Sequence, residues 1–211
     1  MHLIDIHTHS VANDGNIHIV DAGMSPVGDA LCSVGIHPWK ITGGWKERFA
    51  EVKACAAAQN VVAIGECGFD FVNSSASQEL QYEVFIAHVK LSEELQKPLI
   101  IHLVKGQQLL LKAAKELSHA QAWIIHGFRG KSEQAAQLLA AGMYLSFGEY
   151  FNAATVAEVP SGKLLVESDE SVLPLSGIYN RIAAARECSV DELLQYVAVN
   201  VFRCGMLPKN I

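Results

Sequence analysis

Short apolar runs recur along the whole chain, and several of them end abruptly on a histidine or a carboxylate. Eight runs read as strands: residues 4–9, 17–22, 30–36, 61–65, 99–102, 122–126, 143–147 and 163–169. From the third onward each is followed by a stretch of helical periodicity, at 45–58, 77–96, 107–117, 132–141 and two segments near the C-terminus. In residues 77–96 the stripe Leu80, Val84, Ala87, Leu91 and Leu95 would pack on a sheet, and Pro98 ends that helix. Ser189 and Glu192 have capping-box spacing at the start of the last helix. Strands alternating with helices imply parallel pairing through crossovers, and eight such strands predict an α/β fold, a TIM-like (β/α)8 barrel. The first two connections are too short for helices. Residues 11–16, with Asp14-Gly15 at their centre, are turn chemistry. A parallel crossover usually takes a dozen residues or more, so strand two is expected to run antiparallel as a local hairpin, or the barrel to be distorted there.

The chain has 211 residues, half of them apolar and 18% charged, which suits a single domain over 1–211 with a sizeable core. Five widely spaced cysteines without a CxxC pair point to reduced thiols in a cytoplasmic protein. Asp5 and the early histidines interrupt what would be a signal peptide's apolar core, and no run approaches a membrane span. A formal net charge of -6 speaks against a general polyanion-binding surface, though a local basic rim of Lys40, Lys105, Arg129 and Lys131 stays open.

The chemistry sits at the strand ends. In Ile4-Asp5-Ile6-His7-Thr8-His9, alternation puts His7 and His9 on one face, with Asp5 one step deeper where it can orient a ligating imidazole. Glu66, His102, His126 and Asp169 close four further runs. Parallel barrel strands deliver their C-terminal ends to one face. Four histidines and two carboxylates gathered there would suit a pair of divalent cations, and one or two core histidines would not explain six such residues.

The stretches IDIHTH (4–9), GIHPW (35–39), IGECGFD (64–70), PLIIH (98–102), IIHGFRG (124–130) and LLVESD (164–169), with Asn200-Val201-Phe202-Arg203, resemble the TatD family of metal-dependent hydrolases among the amidohydrolase-like barrels. The resemblance implies that His7, His9 and Asp169 hold one metal ion, His102 and His126 the other, and that Glu66 bridges. It also implies a metal-activated water as nucleophile, Asp169 as its base, and phosphodiester hydrolysis of the deoxyribonuclease type. The ions would be two divalent metals drawn from Zn, Mn, Mg, Fe or Co, and the partner DNA or a small phosphodiester, with no membrane and a monomer compatible with the sequence.

The chain departs from the family where substrate would lie. A Ser-Arg-Asp type of run is replaced by Leu103-Val104-Lys105 after His102, and Glu170-Ser171-Val172-Leu173 follows Asp169. Lys105 or Arg129 is left to meet a substrate phosphate. His37 either touches substrate or caps its strand against Trp39, and Glu149 is a further candidate contact. Cys67 should be a packed thiol, and His18, His88 and His119 ordinary structural residues. Two other functions remain open at this point: a small-molecule amide or ester hydrolase on the same metals, and a degenerate member that binds metal without turnover.

Overall fold

A computed structural model describes residues 2–10, 12–26, 28–117 and 119–207; Val11, at the head of the predicted turn, lies outside these. The strands are β1 (Ile4–Thr8), β2 (Ile17–Asp21), β3 (Cys32–Val34), β4 (Val61–Asp70), β5 (Leu99–Val104), β6 (Trp123–Ile125), β7 (Tyr144–Phe147) and β8 (Leu164–Val166). The helices are α1 (Trp45–Cys55), α2 (Gln78–Leu95), α3 (Gln107–Glu116), α4 (Ser132–Ala140), α5 (Ala153–Glu158), α6 (Leu175–Ala185) and α7 (Val190–Arg203). Contacts group the chain into two compact units, residues 21–123 and residues 1–20 with 124–211.

In the unit of 21–123, β3, β4 and β5 pair in chain order, all parallel. β4 is buried at nearly every position, as a strand covered on both faces requires. It continues to Asp70 instead of stopping at residue 65, so Glu66 lies within the strand and not at its end. The register against β5 shifts between Ile64 and Cys67. Gly65 (φ 145°) and Gly68 (φ 130°) make that bend possible: a Cβ on Gly68 would collide with the His102 carbonyl. Ser77 caps α2 by accepting from the Leu80 N–H, and Gln96 leaves it in the left-handed conformation. The buried face of α2 is displaced from the predicted stripe onto Gln81, Val84, Phe85, His88, Val89, Leu91 and Ser92. Three polar residues can face inward because each is satisfied there. Gln81 bonds both backbone groups of Asp70, His88 accepts from the Ile36 N–H, and Ser92 donates to the Lys97 carbonyl.

In the other unit, β1 and β2 pair parallel, Ile4 opposite Ile17 and Thr8 opposite Val20. This corrects the antiparallel expectation. Eight residues, 9–16, can reach about 27 Å when extended, whereas a five-residue strand is only about 17 Å long. The chain therefore returns without a helix. Its arrival is pinned by the Leu3 N–H donating to Asn16 Oδ1 (3.0 Å) and the Ile17 N–H donating to the Leu3 carbonyl (2.9 Å). Ile124 and Ile125 of β6 pair with β7, and β7 with β8, again parallel. Beyond β8 the chain bridges to β1 at Thr8 and Asp169. On α6, the Tyr179 hydroxyl donates to the Ile4 carbonyl (2.7 Å). Asn200 on α7 donates to the carbonyls of Ser161 and Leu164, fixing the start of β8. The Ser189–Glu192 capping box forms as predicted.

Every strand pairing described is parallel, helices follow each strand from the third, and the last strand lies beside the first. This is the topology of a (β/α)8 barrel, shortened at its first two connections. Among the described residues no helix is long and apolar enough to cross a membrane.

Candidate metal centre

The bridge between β1 and the end of β8 builds the first cluster. The Asp169 N–H donates to the His7 carbonyl (2.9 Å), and the His9 N–H donates to the Asp169 carbonyl (3.2 Å). Asp169 itself takes φ 55°, a left-handed conformation for which aspartate has some tolerance. Its Oδ1 then lies 3.4 Å from His9 Nε2 and 3.9 Å from His7 Nε2. The His126 ring packs 4.4 Å from His7, and donor atoms of His7, His126 and Asp169 fall within 4.8 Å of one another. Burial pushes the Asp169 carboxyl up, but the His9 hydrogen bond and the neighbouring His126 and His7 outweigh it and hold the group below its usual range.

Two carboxylates stand behind this cluster. Glu167 is fully buried, and its Oε1 accepts from the Gly127 N–H (2.6 Å) and faces His126 Nδ1 at 3.4 Å. A proton on Nδ1 leaves His126 Nε2 as the lone-pair donor, the arrangement that fixes the tautomer of metal-binding histidines. Burial raises the Glu167 pKa against the pull of His126. Asp5 does not orient a ligating imidazole as expected. It accepts from the backbone N–H groups of His7 (3.4 Å) and Ser168 (2.9 Å), from Ser168 Oγ (2.6 Å), and pairs with His18 Nδ1 (3.1 Å). Asp5 thus locks the backbone around His7 and Asp169, one residue upstream of the second. His18 also meets Asp14, and its pKa rises to about 9, chiefly through the Asp5 hydrogen bond. It is no ordinary strand residue. Neither Glu167 nor His18 is signalled by the strand-end pattern: Glu167 meets His126 and Gly127 from another strand end, and His18 lies mid-strand and meets Asp5 of the neighbouring strand.

The second cluster forms in the other unit. Glu66 Oε1 lies 2.7 Å from His102 Nδ1 and 3.2 Å from His37 Nε2. Asp70, unassigned from sequence although it closes IGECGFD, organises the group. Its Oδ2 accepts from Trp39 Nε1 (2.6 Å) and faces His102 Nε2 (3.2 Å), while Oδ1 accepts from the Val72 and Asn73 N–H groups. Burial opposes ionisation, but these donors prevail and keep Asp70 far below the carboxylate range. A proton on His102 Nε2, held by Asp70, leaves Nδ1 as a metal donor. His37 carries the opposite signature. Its Nδ1 accepts from the Trp39 N–H (3.1 Å), so neutral His37 holds its proton on Nε2, facing Glu66. His37 caps the turn at Pro38–Lys40, and in this tautomer its Nε2–H faces Glu66. Behind it, buried His88 donates from Nδ1 to the Val84 carbonyl and accepts from Ile36, and desolvation lowers its pKa to about 4.

Both donor sets fit a divalent ion. Ligand bonds of about 2.1 Å arranged tetrahedrally put donors roughly 3.4 Å apart, close to the separations around Asp169. Imidazole and carboxylate donors together suit borderline and hard divalent cations.

Of the remaining predicted residues, Arg129 and Glu149 line a cleft of about 250 Å³ whose wall includes Asp169, Glu167 and Tyr150. Glu149 accepts from Ser171 Oγ at 2.6 Å. Lys105 is exposed at the end of β5, with φ 59°. Cys67 is buried, donates to the Ile100 carbonyl and has its pKa pushed well up by desolvation, so it is the packed thiol expected. His119 stacks on Trp123.

Residues 8–204 match the model of the family described as TatD related DNase. The chain belongs to this family. It is 30% identical over 192 residues to a metal-dependent hydrolase of Bacillus subtilis, YabD, covering 81% of this chain and 75% of that one. It is 27% identical over 177 residues to the 3'-5' ssDNA/RNA exonuclease TatD of Cronobacter sakazakii, covering 79% and 67%. The crystal structure of YjjV, a TatD homologue from Escherichia coli, superposes with a TM-score of 0.81 over 98% of both chains at 18% identity, which shows the shared fold. This TatD-family protein is a metal-dependent hydrolase by family, with candidate metal-binding groups at the positions described above.

Proposed function

We propose that the chain hydrolyses phosphodiester bonds, in DNA or a smaller nucleotide-like molecule, with two divalent ions. The observation that carries this reading is Asp169: a carboxylate kept ionised among three imidazoles, one quarter exposed, on the wall of a cleft. His7, His9, His126 and Asp169 would hold one ion, with Glu66 and His102 as donors in the second set. Divalent ions bound there supply Lewis acidity and a more acidic water at neutral pH. Asp169 takes the proton of the attacking water on a carboxylate oxygen and returns it to the leaving oxygen. Glu167 and Asp70 hold the imidazole tautomers, and the His37 Nε2–H holds the Glu66 carboxylate. The exonuclease name of the Cronobacter relative supports a nucleic-acid substrate.

A second reading, hydrolysis of an amide or carboxylic ester in a small molecule, is favoured by the size of the cleft: at about 250 Å³ it lies below the roughly 300 to 1,000 Å³ of pockets for drug-sized ligands and suits a small group. Turnover of bis(4-nitrophenyl) phosphate against a panel of amides and lactones separates the two. Phosphodiester turnover abolished by chelator is expected; turnover confined to the panel would refute the proposal. Glu66→Ala is expected to weaken the binding of the ion of the second set, as metal analysis after dialysis would show.

A further inference from the structure

Arg129 is the arginine on the wall of the cleft that contains Asp169. It is exposed, no carboxylate pairs with it among the described residues, and yet it is not loose: its guanidinium lies over the Tyr150 ring, 5.2 Å from the centroid. Both residues line the cleft that contains Asp169. A cation–π shelf of this kind orients the planar guanidinium and leaves its N–H edge free to bind. None of the four carboxylates that share the cleft, Glu149, Glu167, Asp169 and Glu170, forms an ion pair with it. Glu149 is engaged by Ser171, Glu167 is buried against Gly127 and His126, and Asp169 faces His7 and His9.

An oriented guanidinium with no carboxylate partner suits an oxyanion, and its fork geometry matches phosphate or carboxylate through two parallel N–H···O bonds. The cleft, at about 250 Å³, takes one small group and not a whole nucleotide. We propose that Arg129, positioned by Tyr150, binds a second phosphate of the substrate, one adjoining the phosphodiester that reacts at Asp169. The inference rests on the phosphodiester reading above and narrows it: substrates carrying a further phosphate next to the scissile bond are preferred. Lysine at the same place would supply the charge without the fork or the stacking.

The test compares the dinucleotides pTpT and TpT as substrates of metal-loaded protein, in the native form and in Arg129→Ala, Arg129→Lys and Tyr150→Leu. The native protein is expected to favour pTpT at least tenfold in kcat/KM, mostly through KM. Arg129→Ala should bring that ratio to about one, with the other two variants between. No preference in the native protein, or a preference that survives Arg129→Ala, overturns the proposal. If neither dinucleotide is cleaved, the phosphodiester reading fails separately, and calorimetry carries the test of the phosphate site. Thymidine 3',5'-bisphosphate should then bind at least tenfold more tightly than thymidine 5'-monophosphate, an advantage lost in Arg129→Ala. Equal binding in the native protein would refute the site.

Discussion

The two histidine–carboxylate clusters of this protein use the same donor types but are built for different exposure. Around Asp169 the carboxylate is 24% and His9 34% exposed, and the group opens onto a cleft. Around Glu66 the carboxylate is 2% exposed and Asp70 not at all, with His102 and the indole of Trp39 packed over them. A buried carboxylate pinned by five donors is suited to holding charge and orientation. A partly exposed one that still ionises is suited to exchanging a proton with substrate. The difference supports the proposed proton transfer at Asp169 and a supporting part for Asp70.

The sharpest way to break this contrast is Asp169→Asn. Asparagine tolerates the left-handed backbone at 169, so the fold should keep its melting temperature within a few degrees while kcat falls by roughly 10²–10⁴. Phosphodiester kinetics at saturating Mn check it. An unchanged kcat would remove Asp169 as the base.

Acid should act on the buried side of the comparison through His88. Its pKa is about 4 in the fold and about 6.5 in the unfolded chain, so the unfolded state binds the proton first as pH falls. The stability that neutral His88 allows is present above pH 6.5 and drains away down to about pH 4, by roughly 3 kcal/mol. Urea unfolding at pH 7 and pH 4 should show that loss, and His88→Gln should show less of it.

Asp70→Asn keeps the shape but not the charge behind His102. Metal affinity should fall by about 10- to 100-fold, the usual effect of losing such support, and activity should return as metal is raised. Competition with a fluorescent chelator measures it. Trp39→Phe removes only the indole donor to Asp70 and should weaken the same affinity by a few-fold. An effect larger than that of Asp70→Asn would mean that Trp39 acts on substrate instead.

The candidate ligands were legible from sequence because strand periodicity alone sets which residues close a run and which share a face; IDIHTH and LLVESD need no knowledge of partners. Their supports were not. Asp5 and Ser168 are 163 residues apart, and His126 and Glu167 are 41 apart, so neither pair leaves a local pattern. Asp70 sat inside a quoted motif, but its role depends on Trp39 and His102 arriving from other elements. The antiparallel expectation for β2 failed for a different reason. Crossover length is governed by helices in most proteins, whereas here eight residues are enough to span a five-residue strand. On α2 the inward-facing Gln81, His88 and Ser92 hid the true buried face, since polar residues with private partners look like surface.

The most direct measurement is a time course on an end-labelled single-stranded oligonucleotide with Mg, Mn or Zn, run beside chelator and Asp169→Asn controls. Stepwise shortening that needs both metal and Asp169 is the predicted result. An intact oligonucleotide under every metal, from protein shown to bind two ions, would contradict phosphodiester hydrolysis of nucleic acid at this site.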